Sequence, residues 1–215
     1  MPHHPHVPLS QSIVHAIASV CFTLGWEWTA ALILIGHHCL LRPGEIMTLH
    51  RHNMHLPCDS PAKVSSAVIS IVRPKTRNRG RMLEAVTVEW PALVLLLNTL
   101  FGWIHPDTNL CRGGRAGLVK RFEYAKSLLS LQTAPFTLAS LRSGGAVDFY
   151  RSTGNVAALQ FRGRWDSPST LNHYLQEAMA TLAFGRLSKQ SFDKVEALAD
   201  LLPAFTEACC AAQTP

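Results

Sequence analysis

Apolar residues set a helical rhythm at the front of this chain. Ile13, Val14, Ile17, Ala18 and Cys21 fall on one side of a 3.6-residue turn, which predicts a helix over Ser10 to Leu24 that Gly25 ends. Glu27 to Leu41 is apolar almost all round, the pattern of a buried second helix. Pro43 suits the first turn of a short third helix, Gly44 to Leu49. Arg42 therefore falls at a junction between helices, on buried ground where a charge requires a partner, and Glu45 is near enough in sequence to be one. The rhythm then changes. His50 to Ser60 is polar and rich in histidine, and reads as a loop or short edge strand with solvent-facing rings. Ala67 to Arg73 and Met82 to Val88 read as strands, joined by a basic turn over Pro74 to Arg81 with Asn78 and Gly80 as turn residues.

Helical spacing returns from Trp90 to Trp103, with Leu93, Leu96, Leu97 and Leu100 on one face. A loop over His105 to Gly114 follows, then a helix over Gly117 to Leu131 with a basic start at Lys120 and Arg121. Thr137 is expected to cap the next helix, which carries Arg142 and then Gly144 and Gly145. Two glycines inside a helix cost stability, so they predict close approach of another helix or of a nucleic-acid backbone. Gly154 and Asn155 mark a break, and Val156 to Phe161 reads as a short helix ended by Gly163. Ser167 is expected to cap, and Pro168 to start, a helix over Ser169 to Phe184. A last amphipathic helix, Ser188 to Ala208, is broken near Pro203, with a loose tail after it. The order predicts a mainly α fold with a small antiparallel β-hairpin sheet, an α+β class. Residues 1–9 read as a disordered lead, 10–187 as the main domain and 188–215 as a C-terminal helix and tail.

Composition narrows this further. With 215 residues, 47% of them apolar, the chain can bury one sizeable core, and disorder throughout is excluded. A net charge of +6 favours a polyanionic partner such as nucleic acid. The six cysteines (Cys21, Cys39, Cys58, Cys111, Cys209 and Cys210) form no Cys-x-x-Cys pair and show no zinc-ligand spacing with the histidines. A reducing compartment and no metal are expected. The first residues lack the apolar core of a signal peptide, and the longest apolar runs, Trp28 to Ile35 and Ala92 to Leu97, are too short to cross a bilayer. An intracellular location is expected, nuclear in a eukaryote and cytoplasmic in a prokaryote.

The densest chemistry lies between Thr137 and Tyr174. Arg142 comes first, Trp165 follows the turn at Gly163, and Tyr174 stands nine positions later. A guanidinium fork neutralises phosphate oxygens, an indole N–H can only donate, and a phenol can serve as nucleophile. That set suits attack on a phosphodiester. Upstream lie Leu41 to Glu45, with Arg42 and Glu45, and Lys75 on the hairpin. Together these residues resemble the catalytic domain of the tyrosine recombinases, the phage-integrase family, over roughly Ser10 to Phe184. Arg42 and Glu45 match that family's Leu-Arg-x-x-Glu setting, and Lys75 its hairpin lysine. Ser140, Leu141 and Arg142 match the last three positions of His-x-Leu-Arg, and Gly163 to Trp165 its Gly-x-His/Trp element.

The resemblance implies a tyrosine recombinase catalytic-domain-like fold and strand exchange in site-specific recombination or DNA integration, with no metal or nucleotide. Tyr174 would attack a DNA phosphate and form a 3′-phosphotyrosyl link. Arg42 and Arg142 would stabilise the phosphoryl oxygens, Lys75 would protonate the leaving 5′-oxygen, and Trp165 would donate its indole N–H to the phosphate. Glu45 would support Arg42. The partner is double-stranded DNA, with several copies of the chain assembled on it. Beside that constellation the cationic hairpin, with Arg73, Arg77, Arg79 and Arg81, reads as a finger touching DNA, and Lys120 and Arg121 as further contacts. Two features depart from the family pattern. Ala139 stands where the family usually has histidine, and a methyl group moves no proton. The family's helical core-binding domain has no counterpart ahead of Ser10, so a fragment, a mobile-element remnant or one part of a split system is expected. The rival readings are a DNA-binding remnant without cleavage activity, a relaxase resembling type IB topoisomerases, and an unrelated basic helical scaffold in which Arg42, Arg142 and Tyr174 do not converge.

Overall fold

The computed structural model describes residues 7–61, 64–71, 84–167, 171 and 177–212. Arg73, Lys75, Arg77, Arg79, Arg81 and Tyr174 lie outside the described residues, as do the hairpin tip and the expected helix start at Pro168.

Helix α1 (Gln11–Thr23) is the centre of the molecule, with nine of its residues buried. Apolar residues surround it because it is covered from several sides: by α2 (Glu27–His38), α5 (Gly114–Leu128), α6 (Ala139–Thr153) and the two last helices. The short α3 (Pro43–Met47) follows α2, and α4 (Pro91–Phe101) packs its leucines against α2. Helix α7 (Val156–Gly163) is capped by Asn155, whose side chain accepts the Ala158 N–H at 2.9 Å. Then come α8 (Glu177–Gly185), α9 (Lys189–Asp200) and α10 (Leu202–Ala212).

Three strands, β1 (Met54–His55), β2 (Ala67–Ile71) and β3 (Glu84–Val88), form one antiparallel sheet in that order. Ala67 pairs with Val88, Ile69 with Val86 and Ile71 with Glu84, so the period-two pattern puts one row of side chains inward. Glu84 shares that buried row, which obliges it to find a cation. The molecule is thus mainly helical with a small antiparallel sheet, the α+β class expected. The expected edge strand between His50 and Ser60 is two residues long and flanked by 3₁₀ turns. Arg51 anchors this segment from inside. It donates to the carbonyls of Phe101 (2.6 Å), Met54 (2.8 Å) and Gly102 (3.3 Å) and to the Asp59 carboxylate (2.5 Å).

Several expectations need correction. Thr137 does not cap α6. The N-cap is Leu138, and the hydroxyl of Ser140 reaches back to accept the Thr137 N–H at 3.1 Å. The short helix does end at Gly163, as expected, and Arg164 beyond it takes the left-handed conformation, with φ 57°. The lead is not loose up to residue 9: Leu9 is fully buried and its N–H donates to the Ser140 carbonyl. The glycine pair of α6 is explained by backbone approach. A Cβ on Gly144 would sit 1.8 Å from the Leu9 oxygen, and one on Gly145 would sit 2.0 Å from the His37 oxygen.

The C-terminal stretch is no appendage. The break falls at Leu201, with Pro203 in the first turn of α10, where its missing N–H costs nothing. Val195 and Leu202 join the main core, and Phe205 stacks on Phe22 of α1 with centroids 6.2 Å apart. Lys194 donates to the Leu128 carbonyl at 3.1 Å. These helices fold back on their own chain.

Candidate functional site

The site begins where α2 ends. Leu40 adopts a left-handed backbone, φ 53°, which a branched residue resists, and the chain turns into α3 at Arg42. Glu45 folds back over that start. Its Oε2 accepts the Arg42 main-chain N–H at 2.8 Å, and its Oε1 accepts from the Arg42 guanidinium at 2.7 Å. Only the local spacing of three residues is needed for this pair, which is why the sequence displays it.

Helix α6 brings in Arg142. Gly145 lets α6 lie against α2, as Gly144 lets the Leu9 backbone approach, and the Arg142 side chain crosses to the α2–α3 junction. It is 2% exposed, donating from Nη1 to the Leu40 carbonyl (2.5 Å) and from Nη2 to the Gly163 carbonyl (2.6 Å). Carbonyls, rather than solvent, therefore face its outer nitrogens. Trp165 closes over it. The left-handed turn at Arg164 folds the indole back onto α7, with its ring 4.6 Å from the Arg142 Cζ. Gly163 is required there, since a Cβ would lie 1.7 Å from the ring. The Trp165 main-chain N–H donates to the Gln160 carbonyl, and the Gln160 side chain donates to the Trp165 carbonyl, both at 3.1 Å.

Arg164 joins the parts. Its side chain is 4% exposed. Nη2 donates to Glu45 Oε2 at 2.8 Å and lies 3.3 Å from the Leu40 oxygen, while Nη1 reaches the Cys39 oxygen at 3.4 Å. Nε stands 3.2 Å from Glu84 Oε2, an ion-pair contact off line for a hydrogen bond. Burial pushes this guanidinium below its ordinary value; Glu45 and Glu84 oppose that effect and Arg42 adds to it. Three guanidinium groups are thereby strung on shared acceptors: Arg42 and Arg164 on Glu45, Arg164 and Arg142 on the Leu40 carbonyl. A planar guanidinium presents its five donors in a fixed fork, so it can reach acceptors spread over a wider arc than a lysine ammonium can.

Of the residues expected at the site, Arg42, Glu45, Arg142 and Trp165 come together. Lys120 and Arg121 do not join this network. They sit on α5, where Lys120 is exposed and Arg121 donates to the Arg112 carbonyl at 2.8 Å. Ala139 is half-buried in the first turn of α6. Arg164 was missed, although Glu84 at an inward strand position signalled that a buried cation was needed. Cys39 lies beside the cluster, but burial pushes its thiol up to about 12, so it stays protonated and is a poor nucleophile.

On the other side of the junction is a small cavity of about 230 Å³ lined by His15, His37, His38, Trp90, Asp148 and Arg162, among others. Arg162 donates to the His38 carbonyl (3.1 Å) and pairs with Glu89 (3.2 Å). Burial pulls both His15 and His38 down to about 4, helped by His37 at the first and by Arg162 at the second. Among the described residues no group of three or more acidic, histidine or cysteine side chains could hold a metal ion, and no helix is long and apolar enough to cross a membrane. Comparison of the chain with protein-family models, with characterised proteins and with solved structures returned no match.

Proposed function

We propose that this chain breaks and rejoins DNA strands through a tyrosine–phosphate link, the chemistry implied by its resemblance to the tyrosine recombinases. One observation carries the reading: the Arg42–Glu45 pair, Arg142 and the Gly163–Trp165 element, three places distant in sequence, are linked at one junction through Glu45 and the Leu40 and Gly163 carbonyls. The phenol oxygen of Tyr174 attacks phosphorus and gives up its proton to solvent. The bond from phosphorus to the 5′-oxygen breaks, and that oxygen takes a proton from Lys75. Guanidinium groups stabilise the charge that grows on the phosphoryl oxygens. Rejoining reverses these steps with a 5′-hydroxyl of another strand, so the link conserves the bond energy and no cofactor is consumed. Several copies on one DNA are part of this proposal.

A second reading, DNA binding without cleavage, is favoured by two details. Ala139 supplies no proton-transfer group, and a positioned acid or base is worth about 10²–10⁴-fold. Arg142 also turns both outer nitrogens to carbonyls. Covalent trapping separates the readings. The protein is incubated with nicked duplexes of degenerate sequence, and an SDS-resistant adduct is sought beside Tyr174→Phe and Lys75→Ala. An adduct that Tyr174→Phe abolishes supports strand breakage. Salt-sensitive DNA binding without adduct, turned into cleavage by Ala139→His, supports the second reading. Plasmid relaxation without site preference would instead favour a topoisomerase-like activity.

A further inference from the structure

Arg164 belongs to no catalytic role implied above, yet it bridges two buried carboxylates and reaches two main-chain carbonyls. Neutralising Glu84 alone would require one contact and no particular backbone. Instead Arg164 holds a left-handed conformation, φ 57°, and hydrogen-bonds toward Leu40, itself left-handed at φ 53°. Non-glycine residues adopt that region at a cost, and such strain persists where the surroundings enforce it.

The division of Glu45 gives this conformation a purpose. Oε1 serves the Arg42 side chain, while Oε2 is shared by the Arg42 main-chain N–H and Arg164. A carboxylate with both oxygens available closes a two-pronged fork on arginine, its strongest arrangement. Here Arg164, together with the Arg42 main-chain N–H, occupies Oε2 in place of that closure. Arg42 is left with one carboxylate contact among the described residues and a side chain 23% exposed, the most open of the three guanidinium groups. We propose that Arg164 is a positioning residue that withholds half of Glu45 from Arg42, so that Arg42 faces solvent ready to take a phosphoryl oxygen. This rests on the reading of the site as one for phosphodiesters and deepens it.

The test needs no turnover. Inorganic phosphate is titrated into the whole chain while the arginine Nε–Hε resonances are followed by NMR. In the unsubstituted protein Arg42 responds and saturates. Arg164→Gln weakens phosphate about tenfold or more, the effect of one charge-assisted hydrogen bond. Adding Glu45→Gln to it restores most of the affinity, because no carboxylate then remains to close on Arg42. A residue that only supported the fold would show the opposite, a deeper loss in the double variant. If Arg164→Gln does not fold, Arg164→Lys carries the test, since it keeps the charge and loses the fork. Unchanged affinity in either variant, loss without restoration, or no Arg42 response in the unsubstituted protein overturns the proposal. An Arg164-dependent phosphate site without a tyrosine adduct leaves the inference standing and removes strand breakage. An adduct formed equally well without Arg164 does the reverse.

Discussion

Two places in this protein bury arginine, and they do so differently. Arg51 meets three carbonyls and one carboxylate with no second arginine on them among the described residues, the Leu56 N–H and the Cys58 thiol being the other donors to Asp59 and that thiol the other donor to the Gly102 carbonyl. Its job is finished by those contacts: it ties the segment around β1 to the end of α4. At the α2–α3 junction the acceptors are shared, with Glu45 between two arginines and the Leu40 carbonyl between two. Two of the three non-glycine residues with positive φ among the described residues, Leu40 and Arg164, meet there, and none lies at Arg51. A buried arginine is thus no sign of function by itself. Cations crowded onto too few acceptors, on a strained backbone, are the informative arrangement.

Gly145→Ala would break the comparison most severely. The added methyl overlaps the His37 carbonyl, forces α6 off α2 and carries Arg142 with it. The expected loss exceeds about 4 kcal/mol, visible as an absent or strongly lowered thermal transition. Arg51→Ala comes next. The buried carbonyls of Phe101 and Met54 lose this donor, for about 2–4 kcal/mol in urea unfolding. Phosphate affinity at the arginine cluster stays unchanged below the melting temperature, and a parallel loss there would erase the distinction between the two sites.

Acid tests the ground beneath the cluster. His15 and His38 titrate near 4 in the folded protein against an ordinary 6.5. Between those values the unfolded chain binds the extra protons, so stability is full above pH 6.5 and falls as the pH drops toward 4. The urea midpoint measured at pH 7, 6 and 5 should decline, and His15→Gln with His38→Gln should flatten the decline. The smallest effect is expected at α5. Lys120→Ala should reduce the slope of log affinity for DNA against log salt by about one. Arg121→Ala should do less, since Arg121 already serves the Arg112 carbonyl.

Most of the helical framework was legible because apolar spacing states it directly. Ile13, Ile17 and Cys21 place α1, and the strand pattern of Ala67, Ile69 and Ile71 places β2. Ends were harder. Thr137 has the chemistry of a cap, but Ser140 supplies the oxygen in its place, and side-chain type alone does not decide between them. Within the site, Arg42 with Glu45 could be read because the contact is local. Arg164 could not, since its partners Glu84, Glu45 and Leu40 reach it only after folding. The glycine pair announced a close approach without naming the neighbour, and the structure identifies it as Leu9 and His37.

The packing of α9 and α10 on α1 has a consequence for the timing of synthesis. Helix α1 leaves the ribosome well before the residues that help cover it, Val195 and Leu202. At ordinary elongation rates the interval is on the order of 10–40 s. Throughout it α1 lacks the cover that α9 and α10 add to that of α2, α5 and α6. Contacts spanning so much of the chain also slow folding. The nascent protein therefore keeps one side of an apolar helix open until α9 and α10 have been made, and its yield in a cell will depend on what shields that side of α1 in the meantime.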